Sequence, residues 1–258
     1  MDWKSKKSWV QEDAMYVPKR KVNNKGSREY EHIIGSIPSR KMNRRIGYES
    51  FWGECLFYYL LEIDPLTVRY YEQPVEVTYR ELSAKYVFVE KVHVPDTLVF
   101  RQNYRPHLFQ VKGGNNFIEQ KAHLFNASSK YAQEQGWSYS VIHPKLMPLK
   151  VQSNLIFLMN YMKPREYFEI WIPEILNKML YLKNPTVEHL AKSFSAKIDH
   201  RDILPIIYHL IFRGDLRTDI FIPVNSFSVL ELGDLSKDLI TYFHLEGDSF
   251  VASMQSKN

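Results

Sequence analysis

A mixed α/β domain followed by a smaller, mostly helical one is the architecture that this 258-residue chain predicts. Three observations lead there. Runs with strand alternation interchange with runs of helical spacing through the first two thirds of the chain. Lys163-Pro164-Arg165 then forms a seam, after which the pattern turns helical. The composition is 45% hydrophobic, 14% aromatic and 24% charged, which supplies an ample core and excludes disorder or low complexity. The expected domains are residues 1–165 and 166–258.

Taken in order, residues 1–46 read as irregular, with Asn23, Asn24, Gly26, Gly35 and Pro38 as breakers. Residues 49–63 read as a helix dense in Phe51, Trp52, Leu56, Phe57 and Leu60, stopped by Asp64-Pro65. Residues 68–79 alternate and are rich in Val and Tyr, so they read as a strand, and residues 86–100 continue the strand-like character, broken at Pro95. A short strand at 108–112 is closed by Gly113-Gly114. A helix at 116–135 follows, with Ile118, Ala122, Phe125 and Ala132 along one side and Gly136 as its cap. A strand at 139–142 and a helix at 153–162 complete the first domain. Beyond the seam, helices are expected at 166–182, 186–194 and 201–213, then strands at 216–223 and 227–232. Three helices and a two-stranded ribbon in that order make a winged-helix pattern, a small helical cap being the alternative.

The composition also limits the chemistry. A lone cysteine, Cys55, rules out a disulfide framework and cysteine-rich zinc folds. No apolar run approaches the roughly 20 residues of a membrane helix, and MDWKSKKSWVQED lacks the apolar stretch of a signal peptide. A cytoplasmic protein with no membrane partner is expected. The formal charge of +5 is uneven: residues 1–46 hold 12 Lys/Arg against 5 Asp/Glu, whereas the remainder holds 22 against 24. A basic leading segment suits phosphate contact, because each neutralised phosphate releases counterions; a solvated surface or a partner-binding arm fits the charge equally.

The stretch that carries chemistry is HVPDTLVFRQNYRPHLFQVKGG. Asp96 follows Pro95 at the start of one strand. Gln110 and Lys112 stand two apart on the next, so their side chains share a face. A hairpin between these strands can bring the three together. The Asp96 carboxylate, the Gln110 amide oxygen and the Val111 carbonyl are hard oxygen donors of the kind Mg²⁺ or Mn²⁺ prefers. Lys112 can hold or help deprotonate a water, or balance phosphate charge. One carboxylate is thin for a divalent cation. Glu54, set among Phe51, Cys55, Phe57 and Tyr58 on the preceding helix, offers a second, since a charge there is costly to bury unless it is paired or binds metal. Glu49 and Glu62 are its rivals. Of the nine histidines, His93, His107, His123 and His143 show no zinc-helix spacing and read as surface or sheet residues; His107 alone stands close enough in sequence to reach a phosphate.

The helix Glu, the hairpin Pro-Asp and Gln-x-Lys match the order of the PD-(D/E)xK nuclease pattern, with Gln110 in place of the usual second carboxylate. In this the sequence resembles TnsA, the endonuclease subunit of heteromeric transposases of the Tn-seven type. IPSRKMNRRIGYESFWGE, LLEIDPLTVRYYEQP, VPD, QVK and GWSYSVI carry the resemblance, over roughly residues 35–160. It implies a restriction-endonuclease-like core with a C-terminal winged-helix domain. It implies Mg²⁺-dependent cutting of the 5′ strand at transposon ends, on double-stranded DNA, beside a TnsB-like DDE recombinase and a TnsC-like AAA+ regulator. Glu54, Asp96, Gln110 and Lys112 take the catalytic positions, with Glu54, Asp96, Gln110 and the Val111 carbonyl sharing the Mg²⁺ (or Mn²⁺). Arg40, Lys41, Arg44 and Arg45 are the expected DNA contacts. The alternatives are a non-catalytic assembly subunit of the same fold, and a restriction or repair nuclease. Removing residues after about 165 is expected to leave a folded core.

Overall fold

Residues 1–20, 34–83, 86–113, 119 and 121–247 are described by the computed structural model. The contacts divide the chain into Met1–Lys145 with Ile240–Asn258, and Leu146–Leu239. The division thus falls before the helix expected at 153–162 instead of after it, and the chain end returns to the first unit.

The first unit is built on a five-stranded mixed sheet. Its strands are β3 (Thr67–Glu72), β6 (Thr97–Arg101), β7 (His107–Val111), β8 (Ser138–Pro144) and β11 (Phe243–Gly247), in the spatial order β11-β8-β7-β6-β3. Only β7 and β8 run parallel. A parallel neighbour requires a crossover, and helix α3 (Ala122–Glu134) lies in that connection. Residues 116–118 and 120 of the helix expected at 116–135 lie outside the described residues. Strands β6 and β7 are buried along their whole length, which is why TLVFR and HLFQV read as continuous apolar runs and not as alternation.

Helix α2 (Leu56–Ile63) packs on this sheet: Phe57 meets Phe109 edge-to-face with ring centroids 5.2 Å apart, and Tyr58 stacks on Tyr70 at 5.7 Å. One π-helical turn, Phe51–Cys55, precedes it. Its start is capped by Ser50, whose Oγ accepts the Gly53 N–H at 3.1 Å, while the Cys55 N–H reaches the Ser50 carbonyl at 2.9 Å. Gly53 is required by space: a Cβ there would stand 2.6 Å from Ser50 Oγ and 3.4 Å from Val111 Cγ1. This close approach brings the helix start against the end of β7.

The leading segment is less irregular than its composition indicates. Helix α1 spans Val10–Met15, and β1 (Gly35–Ser39) pairs antiparallel with β2 (Arg44–Tyr48). Ile37, Ile46 and Tyr48 point inward from that hairpin; the intervening arginines hide the alternation. The strand expected at 68–79 is interrupted at Gln73, whose φ is 47°. The chain resumes as β4 (Val77–Leu82), paired with β5 (Phe88–His93) in a separate ribbon.

In the second unit, α4 (Leu149–Met159), α5 (Phe168–Met179), α6 (Val187–Lys192) and α7 (His200–Arg213) are followed by β9 (Leu216–Arg217), β10 (Glu231–Leu232) and α8 (Ser236–Ile240). Thr186 and Asp199 cap α6 and α7, and Gly214 ends α7 at φ 82°. The ribbon β9–β10 is antiparallel but only two residues deep on each side. Side chains, one of them from α4, take backbone groups that a longer ladder needs. The Asn154 amide nitrogen donates to the Ile220 and Ile222 carbonyls, Asn154 Oδ1 accepts from Val224, and Asp219 and Asn225 close turns onto Phe221 and Phe227. Among the described residues, no helix is long and apolar enough to cross a membrane.

Candidate active site

Asp96 stands in the short link between β5 and β6, its backbone tied on both sides. Its N–H donates to the Phe109 carbonyl at 3.0 Å, and its carbonyl accepts from the Gln73 N–H at 2.8 Å. The carboxylate is met from the neighbouring strand: Oδ2 accepts the Val111 N–H at 2.7 Å and also the Gln110 amide nitrogen. Since an ionised carboxylate only accepts, this bond fixes the amide with its oxygen turned away from Asp96. Gln110 is fully buried, and among the described residues its Oε1 meets no well-aligned hydrogen-bond donor.

Glu54 enters from the π-turn. It is 7% exposed, and its Oε2 accepts the Glu49 N–H at 2.7 Å. Burial pushes its carboxyl up to about 8, with the negative charge of Asp96 the next cause; the Glu49 N–H and the Lys112 ammonium oppose the rise. Burial likewise raises the Asp96 carboxyl, against the pull of Lys112 and the Val111 N–H. Lys112 is half-buried just past the end of β7, with its N–H on the Ile142 carbonyl at 2.9 Å. Gln110 thus bonds Asp96, and the charges of Asp96 and Lys112 are felt at Glu54, so these four side chains lie near one another in the first unit.

The donor set suits a hard divalent cation. It offers two carboxylates and a buried amide oxygen, with the Val111 carbonyl on the same strand end. A positive charge there offsets the burial that raises both acids and the charge that Asp96 imposes on Glu54. Among the described residues, no group of three or more His, Cys, Asp or Glu is arranged for a metal; the third donor here is an amide.

The four basic residues expected to grip DNA differ from one another. Lys41 sends its ammonium to the Leu61 and Asp64 carbonyls, both at 2.5 Å, and so caps the end of α2. Arg44 makes two bonds to Glu72. Arg40 and Arg45 are exposed on the β1–β2 hairpin, and Arg45 Nε donates to Ser36 Oγ at 2.8 Å. His107 is also internal: it is buried, stacked on Phe109 with centroids 4.1 Å apart, and paired with Ser140 Oγ at 2.9 Å. Burial and Arg105 drop its pKa to about 3, so it offers no charge to a phosphate.

Two residues at the pocket escape the sequence reading. Arg20 bonds Glu49 Oε2 at 2.6 Å, and its charge reaches Asp96. His93 ends β5 beside Gln110 and Lys112, and burial with the Lys112 charge lowers it to about 4, against the pull of the Gln110 amide. A hydrophilic arm and a histidine three residues from Asp96 carry no motif. Only the VPD stretch itself, which begins just past His93, marked the neighbourhood.

Residues 64–143 match the family model described as TnsA-like endonuclease N terminal. The matched span runs from the end of α2 through β8 and contains Asp96, Gln110, Val111 and Lys112; Glu54 and the basic hairpin precede it. The match supports a TnsA-type subunit and nuclease activity in general. No curated protein matches the chain.

Proposed function

We propose that the chain is a metal-dependent DNA endonuclease that cuts the 5′, non-transferred strand at transposon ends, together with a TnsB-like DDE recombinase and a TnsC-like AAA+ regulator. The observation that carries this reading is the convergence of Glu54 on the pocket of Asp96, Gln110 and Lys112, within and beside the region that resembles TnsA-like endonucleases.

Glu54, Asp96, Gln110 Oε1 and the Val111 carbonyl would hold Mg²⁺ or Mn²⁺. A divalent cation there supplies charge that offsets the developing negative charge of phosphodiester hydrolysis. The Val111 N–H orients Asp96 before DNA arrives, and Gln110, whose amide nitrogen meets Asp96 in the metal-free chain, would turn its oxygen to the cation. The Lys112 ammonium, close enough to be felt by both acids, is positioned to orient the attacking water or neutralise a phosphate oxygen. Arg20, held by Glu49 at the same pocket, adds a second cation for the backbone. Exposed Arg40 and Arg45 extend that basic surface. The helices α5–α7 with the β9–β10 ribbon support a winged-helix reading of the second unit.

The test is strand-specific cleavage of transposon-end DNA by the full chain with its recombinase and regulator in Mg²⁺. A 5′-strand cut that disappears in Asp96→Ala and Lys112→Ala, both folded, is expected. An intact 5′ strand with the wild-type chain overturns the enzyme reading. Free cutting of plasmid DNA by the isolated chain would assign it to restriction or repair instead.

A further inference from the structure

Gln73 breaks the run between β3 and β4 with its backbone in the left-handed region, at φ 47°. That backbone strains an L side chain, and the residue before a proline, here Pro74, is ordinarily extended. Glycine would take it freely, yet a buried glutamine stands there, 2% exposed. Its backbone N–H donates to the Asp96 carbonyl at 2.8 Å, and its backbone carbonyl accepts from the Lys19 N–H at 2.9 Å. With the side-chain amide oriented to satisfy both its ends, the nitrogen donates to the Arg20 carbonyl at 2.6 Å and the oxygen accepts from Arg20 Nη2 at 3.3 Å. The same Nη2 reaches Glu49 Oε2 at 2.6 Å, and the Glu49 N–H bonds Glu54 Oε2 at 2.7 Å. One guanidinium therefore stands two links from each acid, through Gln73 to Asp96 and through Glu49 to Glu54. The Arg20 side chain is 49% exposed, so it faces solvent while its base is held.

Resting on the nuclease reading above and deepening it, we propose that Gln73 is a positioning residue: with Glu49 it clamps Arg20 beside Asp96 and Glu54, where the guanidinium takes a phosphate oxygen of the bound DNA. The clamp uses Nη2, so Nη1 is not occupied by it, and a planar guanidinium fork suits phosphate. Holding Arg20 in advance matters because a long side chain already fixed loses less freedom when DNA arrives. The charges agree with the geometry: burial raises the Asp96 carboxyl, and Arg20 is among the cations that pull against it. The left-handed backbone at Gln73 turns one residue toward both the leading arm and Asp96.

The experiment is a double-mutant cycle on binding of duplex DNA to the full chain, with Ca²⁺ in place of Mg²⁺ and at several salt concentrations. Its members are wild type, Arg20→Ala, Gln73→Gly and the pair. Gln73→Gly keeps both backbone bonds and relieves the strain, so it removes the amide clamp alone. Arg20→Ala should weaken binding on the order of tenfold and lower the salt slope by about 1. Gln73→Gly should weaken it on the order of threefold and cost nothing further once Arg20 is alanine. A lesion that only loosens the fold adds to Arg20→Ala, so additive losses overturn the role of Gln73, as does wild-type affinity in Gln73→Gly. Should Gln73→Gly melt early, Gln73→Asn carries the same expectation, since Asn tolerates this backbone and its amide falls a methylene short of Arg20. Unchanged affinity and slope in Arg20→Ala overturn the phosphate contact outright. Failure of the nuclease reading shows separately, as DNA bound normally but left uncut in Mg²⁺ beside the recombinase and regulator; a wild-type chain that binds no DNA overturns both.

Discussion

The charge of Asp96 bears directly on Glu54: after burial, it is the largest cause of a Glu54 carboxyl raised to about 8. Two acids from distant parts of the chain thus oppose each other's ionisation across one buried pocket. An acid raised in the folded state lowers stability as pH climbs, because the unfolded chain loses its proton first. For Glu54 that window runs from its ordinary 4.5 to about 8, and Asp96 is raised in the same sense. The metal-free chain should therefore melt at lower temperature at pH 8 than at pH 5. Glu54→Gln should raise the melting temperature at pH 8 and change it little near pH 4.5. Calorimetry over that range checks it; a Glu54→Gln curve parallel to wild type contradicts it.

The basic hairpin separates into structural and DNA-facing members. Lys41→Ala removes the ammonium from two carbonyls at the end of α2 and should cost about 1–3 kcal/mol of stability, with little effect on the salt dependence of DNA binding. Arg45→Ala should leave stability nearly intact and reduce the salt slope of binding by about 1. Denaturant melts and binding isotherms at several salt concentrations distinguish the two.

How much was readable in advance follows from range. Local signals found the strands and the Pro-Asp and Gln-x-Lys pair: the strand-like runs at 86–100 and 108–112 cover most of β6 and β7, and period-2 spacing put Gln110 and Lys112 on one face. The Ser50–Gly53 cap that positions Glu54 is also local, but a π-turn has no sequence period of its own. What could not be read was non-local. Nothing in Phe243–Gly247 announces that it pairs with Ser138–Pro144, and arginines masked the hairpin around Ile37 and Ile46. Lys41 looked like a free cation because its carbonyl partners lie 20 or more positions away.

That strand pairing changes what a truncation does. Deleting everything after residue 165 strips β11 from the edge of β8 and leaves exposed backbone. The Lys145 N–H donates to the Tyr242 carbonyl at 2.7 Å, so the two chain crossings are adjacent. Excising Leu146–Leu239 and joining the ends with a short turn should therefore give a soluble, cooperatively melting first unit. The simple truncation should aggregate. Gel filtration and thermal melts of the two forms decide between them.

The end of α2 is locked to β6 by a buried ion pair. Arg101 Nε donates to Asp64 Oδ2 at 2.8 Å, with the two side chains 3% and 4% exposed. Asp64 also accepts from Thr67 Oγ1 at 2.7 Å. Asp64→Ala removes the carboxylate from this buried pair and should cost about 3–5 kcal/mol. Any loss of cleavage should track unfolding and recover at lower temperature. Denaturant titration alongside activity at two temperatures checks this.

The convergence of Glu54 with Asp96 is tested most directly by calorimetric titration of Mn²⁺ into the full chain near pH 7.5, in buffers of differing ionisation enthalpy. One class of site is expected, with proton release on binding because raised carboxyls must ionise, and both Glu54→Gln and Asp96→Asn should abolish it. Binding that survives in Glu54→Gln with its proton release intact would show that the two acids serve different sites.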